Sequence, residues 1–97
     1  MELTRMGQDY DAALVGLDLA AVWLRMGKAA EVRELAGEML DTFRFLEVHS
    51  QAETALYFLH EACRLNAASP RIVDTVRMFL TRLRIEPWLR FDPELAV

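Results

Sequence analysis

Residues 10–26 limit the possible folds more strongly than any other part of this sequence, because they predict a helix that is apolar nearly all round. Between Ala12 and Leu24 the only charged residue is Asp18. Helical periodicity sorts the apolar side chains into two stripes. The first stripe contains Tyr10, Ala13, Leu14, Leu17, Ala20, Ala21 and Leu24, and the second contains Val15, Leu19, Val22, Trp23 and Met26. A helix that is apolar all round must be covered all round, so the segment predicts contacts on more than one face.

The composition favours one all-α domain over residues 1–97. The chain holds 15 Leu and 13 Ala, which are strong helix formers, against only nine Val and Ile together. An apolar fraction of 54% with a net charge of −4 excludes intrinsic disorder as the main state. The single cysteine excludes a disulfide framework within the chain.

Apolar periodicity and helix-capping residues predict four helices. Asp9 or Asp11 can cap the first helix, and Gly27 is suited to end it in a left-handed conformation. The second helix has a clear amphipathic pattern, with its acidic residues opposite its apolar stripe. The predicted helices cover about residues 9–26, 29–46, 50–65 and 70–85.

The later helices carry their own start and stop signals. Ser50 is predicted to cap the third helix as the first residue of a capping box. Ser69 is predicted to cap the fourth helix, with Pro70 at its first position, and Pro87 to end it. Residues 86–97 then form an irregular aromatic tail with one final helical turn.

The short connections predict two antiparallel helix-turn-helix pairs, over about 9–46 and 50–85, with a period of roughly 36 residues. Residues 17–32 resemble a tetratricopeptide repeat, and the positions that carry the resemblance are Leu19, Ala20, Trp23 and Gly27. The resemblance implies that the pairs stack right-handedly as a short solenoid and that the surface binds proteins or peptides without catalysis. The chain also resembles the carboxy-terminal repeat region of larger bacterial signalling proteins, including its closing segment, residues 86–91.

The apolar excess of the first helix predicts self-assembly into a homo-oligomer. Leaving two or three large apolar side chains exposed to solvent would forgo about 1.5–3 kcal/mol of burial free energy for each of them. The chain's own tail, a second copy or a foreign protein could cover them. The expected contact residues are Tyr10, Leu14, Leu17 and Trp23 on the first helix, with Trp88, Leu89 and Phe91 in the tail.

Charge asymmetry gives a second route to assembly. The second helix carries an acidic stripe, whereas Arg77 and Arg84 belong to a basic group on or just after the fourth helix. Opposite charges at the two ends of a short solenoid suit head-to-tail contact, which would give a ring or an open filament. Two ordinary solvated faces are the alternative explanation, since surface ion pairs are worth about 0–1 kcal/mol each.

The main alternative function is a peptide-binding scaffold excised from a larger bacterial regulatory protein. Its inner groove would use Leu24, Arg25, Leu56 and His60. An enzyme is not expected, because the sequence lacks a nucleophile motif, a phosphate loop and a glycine-rich turn.

Cofactors, metals, nucleic acid and membranes are not expected either. His49 and His60 would lie about 16 Å apart along one helix, too far to bind one ion together with Cys63. The acidic balance and the scattered arginines disfavour nucleic acid. The longest apolar stretch is shorter than the roughly 20 residues that span a bilayer, and the sequence predicts a cytoplasmic protein without a signal peptide.

Overall fold

The computed structural model describes the backbone of residues 2–96 and the side chains of residues 8–94. This part of the chain is helical and contains no strand. The structure confirms the predicted all-helical class. Its elements are α1 (Glu2–Arg25), α2 (Ala29–Leu46), α3 (Ser50–Arg64), α4 (Pro70–Leu83) and a 3-10 turn (Pro93–Ala96).

The first helix is longer than the sequence predicts. It begins at Glu2, so Asp9 and Asp11 lie inside α1, and the prediction that either residue caps it is wrong. Gly27 follows the helix with φ of 77°, which confirms the predicted left-handed stop. The second helix spans residues 29–46, as predicted from its apolar periodicity.

The turn between α2 and α3 depends on a histidine whose capping role the sequence does not indicate. Glu47 takes a left-handed conformation with φ of 50°. His49 is the N-cap of α3, and its Nδ1 accepts a hydrogen bond of 3.0 Å from the backbone N–H of Gln51. The predicted capping by Ser50 is therefore wrong. Ser50 is instead the first residue of the helix, one position after the cap.

The start of α4 follows the prediction. The Ser69 hydroxyl accepts a hydrogen bond of 3.3 Å from the backbone N–H of Ile72, and Pro70 occupies the first turn, where its missing N–H costs nothing. The helix ends at Leu83, four residues before Pro87. The predicted final turn of the tail is present as the 3-10 turn.

The buried side chains of the four helices form one apolar cluster. Helix α1 packs against α2 and α4, α2 against α3, and α3 against α4, so the contacts run around a ring of four helices. Two ion pairs join α1 to α4. Arg77 Nε lies 2.7 Å from Asp18 Oδ1, and Arg84 Nη1 lies 2.6 Å from Asp11 Oδ1.

The tail folds back onto α3 and α4. The ring of Phe91 packs against Phe58, at 5.5 Å between centroids, and against Phe79, at 5.2 Å. Its backbone N–H donates a 2.9 Å hydrogen bond to Gln51 Oε1. His49 Nε2 lies 2.7 Å from the carbonyl oxygen of Pro87, which fixes the start of the tail beside the start of α3. The aromatic anchor of the tail thus covers the α3 and α4 side of the core.

Candidate interaction surface

Helix α1 carries an exposed apolar stripe on the face opposite the core. The stripe consists of Val15, Leu19, Val22 and Met26, which are 69%, 42%, 48% and 60% exposed. Their spacing of four, three and four residues places them along one line of the helix. We call these four residues the α1 stripe. Among the described side chains of residues 8–26, these four are the large apolar ones that remain exposed.

The edge of the α1 stripe that faces α4 is charged. Asp11, Asp18 and Arg25 are seven residues apart, so they project from the same side of the helix. The two aspartates form the ion pairs with α4, and their side chains remain 65% and 60% exposed. The opposite edge carries the exposed Ala12 and the half-buried Trp23. One edge is therefore charged and the other is apolar.

The structure places the predicted contact residues of α1 in or against the intramolecular core. Tyr10 and Leu17 are buried, and Leu14, Trp23 and Leu24 are partly buried and pack against the core. Helices α2 and α4 pack against α1 and cover these residues. The exposed surface is thus made of the second apolar stripe without Trp23, which the sequence identifies but gives no reason to prefer.

Tyr10 shows how closely this part of α1 is covered. Its ring meets Phe43 edge to face at 5.7 Å between centroids, and the guanidinium of Arg84 lies 5.8 Å from its centre. Burial raises the pKa of the Tyr10 phenol, and the positive charge of Arg84 opposes that rise. Tyr10 is a core residue in a folded chain.

The three tail residues have different surroundings. Phe91 is buried, Leu89 is half-buried and Trp88 is 72% exposed. Of the three, only Trp88 presents a large apolar surface to the outside. Phe91 serves as the intramolecular anchor of the tail.

Arg77 and Arg84 are engaged within the chain. Each pairs with an aspartate of α1, so both hold α4 against α1 rather than standing on an open end of the molecule. The sequence could not show this, because 59 and 73 residues separate the partners.

The residues of the alternative peptide groove do not share a surface. Arg25 lines a cleft of about 450 Å³ between α1 and α4. His60 lines an open groove of about 760 Å³ between α2 and α3, next to Gly37. Leu56 is fully buried, and Leu24 is half-buried. The predicted groove is therefore not assembled by this fold.

Cys63 also lines the α2–α3 groove, but its thiol is buried. Burial raises the pKa of the Cys63 thiol, and the nearby Arg33 opposes the rise. Within the described residues, no three His, Cys, Asp or Glu side chains converge as metal ligands would. The groove lining carries charges of both signs, from Arg33, Glu34, Glu38, Asp41 and Arg64.

No protein-family model, curated protein or solved structure matches this chain. Among residues 2–96, no helix combines the length and the apolarity needed to cross a bilayer. The α1 stripe is therefore the feature of this chain on which a functional proposal can be based.

Proposed function

We propose that this protein is a non-catalytic helical interaction module that self-associates through the α1 stripe. The observation that supports the proposal is the row of four exposed apolar side chains along one face of α1 and the residue that follows it, Val15, Leu19, Val22 and Met26. Single exposed apolar residues are common on protein surfaces, whereas an aligned row marks a contact surface. A second copy supplies an apolar face of the same length.

The internal contacts favour two antiparallel hairpins closed into a four-helix bundle. Tyr10 of α1 contacts Phe43 of α2, and Gly16, further along α1, faces Met39 and Leu35. The residue numbers of the α2 partners therefore decrease along α1, as they do between antiparallel helices. Arg77 of α4 and Arg84, which directly follows α4, meet Asp18 and Asp11 in the same descending order. The contact between the first and last helices favours a closed bundle over an open solenoid. The likeness to a tetratricopeptide repeat and the cytoplasmic location remain predictions.

The energetics predict a weak, concentration-dependent association. Covering the exposed fractions of the four side chains in both copies is worth on the order of 10 kcal/mol. Association costs roughly 4–15 kcal/mol in lost translational and rotational freedom. The surplus corresponds to a dissociation constant on the order of tens of micromolar or weaker. Dimers therefore form at high protein concentration and separate on dilution.

Sedimentation velocity on matched variants tests the proposal. Leu19→Glu places a charge in the middle of the α1 stripe. Because this charge would be buried in the contact, we expect the variant to sediment as a monomer at concentrations where the wild type associates. Because Leu19 is already 42% exposed, the variant should keep its helical circular dichroism. Phe45→Glu is the matched control, since Phe45 is 86% exposed but lies on α2.

The control distinguishes this surface from others. If Phe45→Glu abolishes association while Leu19→Glu retains it, the contact lies elsewhere and the proposal is wrong. If the wild type is monomeric throughout, self-association is wrong, and a foreign protein becomes the candidate occupant of the stripe.

A further inference from the structure

The spacing of the α1 stripe suits the pairing of two helices along their length. Residues 15, 19, 22 and 26 follow the alternating steps of four and three that form the apolar seam of a two-helix contact. The stripe has no competing charge within it. It therefore supplies a complete seam of about 16 Å, given the rise of 1.5 Å per residue.

We propose that two copies of this protein pack α1 against α1 in antiparallel orientation, about a twofold axis between Leu19 and Val22. The inference rests on the proposed self-association and specifies its geometry. In this arrangement Val15 lies opposite Met26 of the second copy, and Leu19 lies opposite Val22 of the second copy. The contact is closed, since each stripe is used once and no further copy can join.

The register follows from the apolar side chains. With the axis between Leu19 and Val22, all four stripe residues of one copy meet stripe residues of the other. A slip of one heptad would place Met26 opposite the exposed Gln8 and Val22 opposite Ala12. That slip buries less apolar surface and covers a polar side chain, so the centred register is favoured.

The orientation follows from charge complementarity along the α4-facing edge of the stripe. A twofold axis perpendicular to the helices brings the same edge of both copies together. Asp18 then faces Arg25 of the second copy, and symmetry repeats the pair. The Asp18 side chain is 60% exposed although it is bound to Arg77, so its carboxylate can accept a second partner. In a parallel pair Asp18 would face the edge that carries Trp23, without a cation. The charges therefore favour the antiparallel orientation.

Disulfide trapping tests the register directly. In a Cys63→Ala background, which removes the chain's one native thiol, Val15→Cys and Met26→Cys are made as separate variants, one with a size tag. After mild oxidation of the mixture, we expect the crosslink between positions 15 and 26 to dominate. Each variant alone should crosslink poorly. Two copies of position 15 lie about 16 Å apart along the axis, beyond the roughly 7 Å between Cα atoms that a disulfide spans.

A charge reversal gives an independent test. Arg25→Asp places like charges opposite each other at both ends of the seam, and we expect it to weaken dimerisation about tenfold. Arg33→Asp on α2 is the control and should leave the dissociation constant unchanged. Efficient crosslinking of Val15→Cys with itself would overturn the antiparallel orientation. A dimeric wild type whose affinity Arg25→Asp leaves unaltered would overturn the charge pairing that favours the antiparallel orientation, while leaving self-association standing. A monomeric wild type would overturn both.

Discussion

Replacing Phe91 by alanine tests whether the tail is part of the folded core. Phe91 is 8% exposed, and its ring contacts Phe58 on α3 and Phe79 on α4. The substitution removes both aromatic contacts and leaves a cavity between two helices. Trp88→Ala is the matched control, because Trp88 is a larger aromatic residue three positions earlier that is 72% exposed.

The magnitude follows from the burial of the ring. Truncating a buried phenylalanine to alanine typically costs about 3–5 kcal/mol. Because Phe91 lies in the tail, beyond the last of the four long helices, we expect the lower end of that range, about 3 kcal/mol. A chain of 97 residues has a total stability of roughly 5–15 kcal/mol, so the variant still folds. The Trp88 variant should change the free energy of unfolding by less than about 0.5 kcal/mol.

Urea unfolding followed by circular dichroism at 222 nm measures both variants. With a denaturant dependence near 1–1.5 kcal/mol per molar urea, the Phe91 variant should unfold about 2 M earlier than the wild type. Equal midpoints for the Phe91 variant and the wild type would refute the anchoring of the tail. A larger loss in the Trp88 control than in the Phe91 variant would refute it equally.

Three further predictions concern turns and the buried thiol. His49→Ala loses the cap of α3 and the hydrogen bond to Pro87, and should lower the free energy of unfolding in urea by about 1–2 kcal/mol. His49→Asn keeps the cap and should recover about half of that loss. An unchanged urea midpoint in the alanine variant would contradict the capping. Gly27→Ala, at φ of 77°, should cost about 1 kcal/mol in thermal melts, and an equal or higher melting temperature would contradict the strain argument. Burial raises the pKa of Cys63, so the folded state holds the thiol proton more tightly than the unfolded state does. The contribution of the thiol to stability should therefore fall as pH rises above roughly 8.5. Native Cys63 should react slowly with Ellman's reagent, and fast labelling of the native protein would contradict the burial.

The sequence predicts the helices well where local signals decide them. The apolar periodicity of α2, the cap at Ser69 with Pro70 and the stop at Gly27 are all local features, and the structure confirms them. The start of α1 is missed because acidic residues suit both a cap and a helix interior that faces a cation. Asp11 lies inside the helix, where Arg84 pairs with it from 73 residues away. The His49 cap is missed because serine is the more common capping residue.

The candidate site is predicted only in part. The sequence shows that α1 has two apolar stripes and that one helix partner cannot cover both. It does not show which stripe faces the core. That choice depends on α4, which packs against α1 and pairs with Asp11 and Asp18 through distant arginines. Residue spacing within one helix contains no information on such a partner, so the exposed stripe becomes identifiable only once the four helices have packed together.

In our proposal a second copy of this protein covers the α1 stripe. Multi-angle light scattering of the wild type, measured from about 10 to about 500 µM, tests it directly over the range of the expected affinity. We predict a molar mass that rises from the 11.1 kDa of one chain and levels off at twice that value. A mass of 11.1 kDa at every concentration would contradict self-association, and a mass that rises well beyond two chains would contradict the closed twofold contact.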